Sequence, residues 1–325
     1  MNLNLSENDI LAESESQSGI IYSRWTPDSR KVLIFNHFSV RMSIWSLIDK
    51  STVYINSPKF PDKGISFSSN GYFMALAERD KSKDYIGIYF VGDWSLVSHF
   101  PTDTYDLADI QWSQDNTSIV VWDCELECKQ LVYSPTGNLL SSYEAYSGAL
   151  GIRNYKFSPN GLNLAVGYND NFLRLFNTKT WKLISELNHN ILNITQDMGI
   201  VVFKEEEISV KNKYSKYVEV QLPCKITPPV GSTLLKGIGG AIDQIEFSPD
   251  SNFLATKSEA IPNILYIWQV NGLRLFTIIV QLKNIKDFSW SPKENMLLIV
   301  TDNAKMYTFT LNNVYIVELV SDMNN

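Results

Sequence analysis

Three histidines and three cysteines are the scarcest chemistry-bearing side chains of this chain, and their spacing decides how much chemistry it can do. His37, His99 and His189 stand far apart, with no His-Glu-x-x-His and no other metal-ligand spacing around them. Each reads as structural or exposed. Cys124 and Cys128 have three residues between them, but a zinc site needs further Cys or His ligands nearby, so free thiols in or near a strand are the reading. Gly237, Gly239 and Gly240 lack the strand, helix and downstream acid of a phosphate-cradling loop and read as backbone freedom at a strand entrance. Glu205, Glu206 and Glu207 are consecutive, so on a strand they alternate between faces and make no general acid and base pair. A nucleophile elbow of the Gly-x-Ser-x-Gly kind is missing, as is a phosphate loop ending in Lys and Ser or Thr. These residues predict no enzyme, no cofactor and no metal.

Composition narrows the partners. Lys and Arg number 28 against 35 Asp and Glu, a net charge of −7, and the basic residues are scattered, which argues against nucleic acid. Residues 1–19 form a polar, acidic N-terminal segment with Glu7, Asp9, Glu13 and Glu15, and show no secretory signal. Apolar runs such as Met296 to Val300 and Leu275 to Val280 are strand-sized, so no membrane span is expected. Three cysteines are too few for a disulfide framework, which points to a reducing cytosolic or nuclear setting.

One phrase organises the rest. From Phe157 to Phe176 the chain reads as a strand end, a turn at Pro159-Asn160-Gly161, an alternating apolar strand, a polar turn holding Asp170, and a third strand closing on an aromatic. Its anchors Trp25, Phe67, Trp112 and Phe157 lie 42, 45 and 45 residues apart, followed by gaps of 90 to Phe247 and 43 to Trp290. The gap of 90 is read as two periods, with a worn copy near Ile194, where Asp197 and Gly199 supply a turn before a strand at Ile200 to Phe203. A second aromatic follows most anchors at a steady interval, among them Trp45, Phe176 and Trp268. A period of about 40–45 residues with four short strands is that of a WD-repeat blade. The expected fold is therefore all-β: residues 20–325 as a WD-repeat β-propeller of about seven four-stranded blades, its closure left open.

Within that frame Asp170 and Asp302 occupy turns between second and third strands, where a carboxylate fixes the turn through backbone amides. Blade two carries a charged turn expected to face water, and its Glu78, Arg79, Lys83, Asp84 and Tyr85 are the candidate partner surface. The Pro- and Gly-rich stretch 223–236 reads as a long surface loop.

The stretches between the landmarks resemble one family in particular, the WD-repeat-containing protein eight family of centrosomes and spindle poles. The resemblance is carried by Trp45 to Leu47, Met74 to Arg79 with Lys83 to Tyr85, Asp93 and Trp94 with His99 and Phe100, Val121 to Asp123, Leu150 to Ile152, Phe247 to Ser251, and Leu273 to Phe276. It implies a non-enzymatic scaffold at centrosome, centriolar satellite, basal body or spindle pole. Such a scaffold binds a coiled-coil partner to anchor microtubule minus ends and supports spindle, centriole and cilium assembly, with a minus-end-directed kinesin as an indirect partner. Family members carry further repeats, so this chain is either a shortened member or an incomplete version. The alternatives are a substrate receptor of a ubiquitin ligase and a generic protein-interaction propeller. The ligase receptor is disfavoured because Trp-Asp-x-Arg is replaced by Trp45-Ser46, Phe176-Asn177 and Trp268-Gln269.

Overall fold

The repeated turn is held by a clasp that the sequence spells out. In five copies the residue after the anchor is Ser or Thr, and its hydroxyl donates to an Asp or Asn two positions on: Thr26 to Asp28, Ser68 to Asn70, Ser113 to Asp115, Ser158 to Asn160 and Ser248 to Asp250, at 2.6–2.7 Å. The same hydroxyl accepts the backbone N–H of Lys31, Phe73, Ser118, Asn163 or Phe253. The fourth turn residue, Ser29, Gly71, Asn116, Gly161 or Ser251, takes the left-handed conformation with φ of 55–73°. A short hydrogen-bonding side chain and a residue tolerant of positive φ are what such a turn demands.

The computed structural model describes residues 19–36, 41–148, 150–209, 214–228, 240–303, 305–311 and 313–318. Residues 1–18, His37, Gly237, Gly239 and most of the loop expected at 223–236 lie outside them. Among the described residues the only helical element is a single 3-10 turn, Gln196–Met198, so the chain is all-β.

Two compact units divide the chain, Met1–Cys124 with Lys129–Ala145 and Glu125–Cys128 with Tyr146–Asn325. The first holds three four-stranded antiparallel sheets. Blade one is β1–β4 (Ile20–Trp25, Lys31–Asn36, Arg41–Ser46, Thr52–Asn56) and blade two is β5–β8 (Ile65–Phe67, Phe73–Asp80, Lys83–Phe90, Leu96–Pro101). Blade three is β9–β12 (Asp109–Trp112, Ile119–Trp122, Lys129–Tyr133, Leu139–Glu144). Alternation along β6 explains why its apolar run is continuous. Met74 and Leu76 pack with Leu33, Phe35 and Ile44 of blade one. Ala75 and Ala77 pack with Ile110, Trp112 and Val121 of blade three. A strand buried on both faces carries no polar alternation.

The second unit holds blade four, β13–β16 (Ile152–Phe157, Asn163–Tyr168, Phe172–Asn177, Leu183–Asn188). Beyond an insertion lie two more blades, β21–β24 (Ile242–Phe247, Phe253–Ser258, Ile264–Gln269, Arg274–Val280) and β25–β28 (Ile285–Trp290, Met296–Thr301, Lys305–Thr310, Asn313–Glu318).

The blade expected at Ile194 is not formed. Among the described residues the strands form seven sheets, five of four strands, one of six and one of two. β17 (Asn193–Ile194) pairs with β20 (Cys224–Lys225) in the two-stranded sheet. β18 (Val201–Ser209) and β19 (Tyr214–Glu219) instead extend the outer edge of the β21–β24 blade, β18 running parallel to β24. The reason is steric. The inner strands of blade four and the β21–β24 blade already touch: Asn154 Nδ2 donates to Asp243 O at 2.7 Å. A Cβ on Gly167 would lie 2.7 Å from Ile242 O. No further four-stranded sheet fits between them, so the gap of 90 residues holds one blade and an insertion. Ile194, Ile200 and Val202 are nevertheless buried, in the core shared by the two blades.

Candidate functional site

The described residues that suggested chemistry turn out to be structural. His189 is buried, and its Nε2 lies 2.7 Å from Thr256 Oγ1. Trp268 Nε1 already donates to that hydroxyl at 2.8 Å. Leu187 O, 3.1 Å from Nδ1, can only accept, so in the neutral ring Nδ1 carries the hydrogen and Nε2 accepts the Thr256 hydroxyl hydrogen. Burial pulls the His189 pKa down to about 3, so the ring is neutral near pH 7. Cys124, Cys128 and Cys224 are in no disulfide; the Cys128 thiol donates to Leu150 O, and burial pushes its pKa up, away from reactivity. Glu205 is buried and satisfied, accepting from Ser215 Oγ at 2.6 Å, Tyr307 OH at 3.0 Å and Leu282 N at 3.0 Å. Glu206 and Glu207 face out. Among the described residues no three His, Cys, Asp or Glu side chains gather as a metal site.

The anchors separate by exposure. Trp112, Phe157, Phe247 and Trp290 are buried, as are Phe176, Trp268 and Ile194; Phe67 and Trp45 are half-buried. Trp25 departs from this pattern at 58% exposed, because β1 lies mostly open to solvent. Asp170 Oδ1 accepts from Phe172 N at 3.0 Å, and its Oδ2 pairs with Arg174 at 2.8 Å. Asp302 instead lies on the surface beside Lys286 at 2.9 Å, and the turn is held by Asn303, which accepts from Lys305 N at 3.0 Å. An amide one position on serves the turn equally well as an acceptor.

The surface that stands out is the β6–β7 hairpin of blade two. Its two strands pair through Asp80↔Lys83, so only Lys81 and Ser82, at φ 46° and 65°, form the turn. Two left-handed residues match the twist of the strands they join. Arg79, Asp80, Lys81, Ser82 and Lys83 are exposed and Tyr85 is half-buried. Glu78 and Asp84, expected to face water, keep only 8% and 5% of their surface. Each is buried because a partner from elsewhere in the unit meets it.

Asp84 Oδ2 pairs with Lys59 Nζ at 2.9 Å and accepts from Leu107 N at 2.7 Å. Lys59 also reaches Asp106 Oδ1 at 2.6 Å, and Arg79 Nη1 meets that atom at 2.8 Å. The Lys59 ammonium beside it holds the Asp106 carboxyl below the usual range. This network fixes the root of the hairpin against the segment leading into β9.

Glu78 lies on the opposite face. Tyr89 OH donates to its Oε1 at 2.6 Å, His99 Nε2 lies 3.1 Å from its Oε2, and the His99 ring stacks on Tyr85 with centroids 4.9 Å apart. The register brings them together, with Glu78 opposite Tyr85 and Gly87 opposite His99. In the sequence His99 reads as a lone histidine and Tyr89 as the second aromatic of its blade, while nothing singles out Lys59 or Asp106. A usable signal was present in Gly87, since a glycine inside a strand marks a close approach. Here a Cβ would sit 2.2 Å from Glu78 Oε1. The result is a short, well-braced hairpin with an uncommitted charged tip, suited to contact and not to bond-making.

Among the described residues, six repeats of four antiparallel strands, five of them with this turn clasp, define a protein of the WD-repeat class, a fold generally used as an interaction scaffold. No family model matches the chain. It is 35% identical over 317 residues to the WD repeat-containing protein WRAP73 of Mus musculus, covering 91% of this chain and 68% of that one. An uncharacterized WD repeat-containing protein of Schizosaccharomyces pombe is 24% identical over 281 residues, covering 85% of this chain and 56% of that one. A solved structure of the mitotic checkpoint complex has a chain that shares the fold, at TM-score 0.54 and 9% identity over 98% of this chain and 87% of that one. The chain belongs to the WD repeat-containing protein family that includes WRAP73.

Proposed function

We propose that this protein is a non-enzymatic WD-repeat adaptor at the centrosome, basal body or spindle pole. It binds a coiled-coil protein, helps that partner anchor microtubule minus ends, and so supports spindle, centriole and cilium assembly; a minus-end-directed kinesin is reached through the partner. One observation carries the reading: 35% identity to a WD-repeat relative runs through 91% of the chain, beyond the blade landmarks that any such protein shares. Support also comes from the stretches between blades that resemble the WD-repeat protein eight family, among them Asp93-Trp94 and Leu150 to Ile152. The exposed tip of the β6–β7 hairpin, held on a rigid root, supplies a surface on which a partner can dock. Affinity capture of the tagged chain from dividing cells tests the proposal. A long coiled-coil protein enriched over an unrelated WD-repeat control is the expected result; recovery of ubiquitin-ligase subunits without such a protein would contradict it.

A further inference from the structure

Between the end of β4 and the open face of blade two lies a cleft of about 390 Å³. Its walls carry Tyr54, Tyr85 and Tyr89, its floor carries Glu78, Asp80 stands at its rim, and its lining contains no Lys or Arg. His99 is the one basic group there, and its exposed ring is committed to Glu78 and stacked on Tyr85.

A carboxylate in this position is unusual. Burial pushes the Glu78 acid up, because Tyr89 and His99 only partly replace its lost water. Each carboxylate oxygen takes one of those two bonds and keeps a second lone-pair site, so Glu78 is a half-filled acceptor in the cleft floor. The fold makes room for it at a cost, since glycine inside a strand weakens the strand and any side chain at Gly87 would collide with Oε1. One face of the Tyr54 ring already holds a cation, the Arg41 guanidinium 4.2 Å from its centre, and the Tyr85 ring stacks on His99, so the pull on a further cation comes chiefly from Glu78 and Asp80.

We infer that this cleft is a receptor for a basic side chain, arginine or lysine, presented by a partner protein. Glu78 accepts from its charged head, Tyr54 and Tyr85 flank its stem, and Asp80 adds attraction at the mouth. Charge complementarity selects this occupant: Glu78 and Asp80 attract a cation and repel an acidic segment.

The experiment is saturation-transfer NMR on the full chain with three capped residues as probes: N-acetyl-arginine methylamide, its lysine counterpart, and N-acetyl-citrulline methylamide. Citrulline keeps the shape of arginine and lacks its charge. The expected result is millimolar binding of arginine or lysine, with citrulline weaker by about tenfold, roughly the factor carried by one charge-assisted hydrogen bond. Glu78→Gln should lose a similar factor. Tyr54→Ala, an exposed change that leaves the core intact, should weaken binding several-fold. Equal binding of citrulline and arginine overturns the inference, as does full arginine binding by a Glu78→Gln protein with wild-type circular dichroism. If Glu78→Gln does not fold, unchanged arginine binding by Tyr54→Ala overturns it instead.

Discussion

Gly87 and Glu78 are a matched pair, and neither residue makes sense alone. Gly87→Ala sets a methyl group 2.2 Å from Glu78 Oε1 and 2.7 Å from the Tyr89 ring, so the buried carboxylate must move. Overpacking of this kind costs about 1–3 kcal/mol. Urea denaturation should show that loss, and Glu78→Ala combined with Gly87→Ala should cost less than the two single changes together. His189 gives a prediction in pH. Its pKa falls from 6.5 in the unfolded reference to about 3 in the fold, so the unfolded chain binds the extra proton. The stability it contributes is present above about pH 6.5 and drains away as pH falls toward 3. Stability measured from pH 7 to pH 4 should decline with this slope, by at most about 1.4 kcal/mol per pH unit. His189→Gln should flatten that part of the curve while lowering stability at pH 7. Unchanged curvature in the variant would show that other groups dominate.

Among the elements, the blade copies with a clasped turn were legible because one hydroxyl, one Asp or Asn and one left-handed residue recur at fixed offsets. The stretch between β16 and β21 was not legible. Its insertion has about the length of one blade, and it contains a genuine turn at Gly199 and buried apolar residues at Ile200 and Val202, so it imitates a worn repeat. What decides against a blade is long-range: Gly167 lies against Ile242, and that contact is invisible along the chain. The hairpin root was hidden for the same reason, since the burial of Asp84 depends on Lys59 and Leu107 meeting it from distant sequence. Native-state hydrogen exchange tests the revised assignment. Amides of Val201 to Lys204 that bond to β24 should be protected to the same degree as β24 itself. Fast exchange there, with β24 slow, would mean that β18 is not part of that sheet.

Taken as a whole molecule, the chain buries its polar chemistry and leaves charged loops exposed. His189 and Glu205 are satisfied inside, whereas Lys81 and Lys83 are exposed at a two-residue turn, outside the ion-pair network that holds Arg79. Substituting both by Glu should leave thermal stability nearly unchanged, because exposed charges contribute little to folding. The same substitutions should act on partner binding, where reversal of a surface charge chiefly slows association. The most direct test is imaging of the fluorescently tagged chain in dividing cells beside γ-tubulin, as wild type and as the Lys81→Glu, Lys83→Glu variant. Wild-type signal concentrated on the γ-tubulin foci, and reduced there for the variant at equal expression, is the predicted result. A diffuse wild-type signal in every stage of division would contradict it.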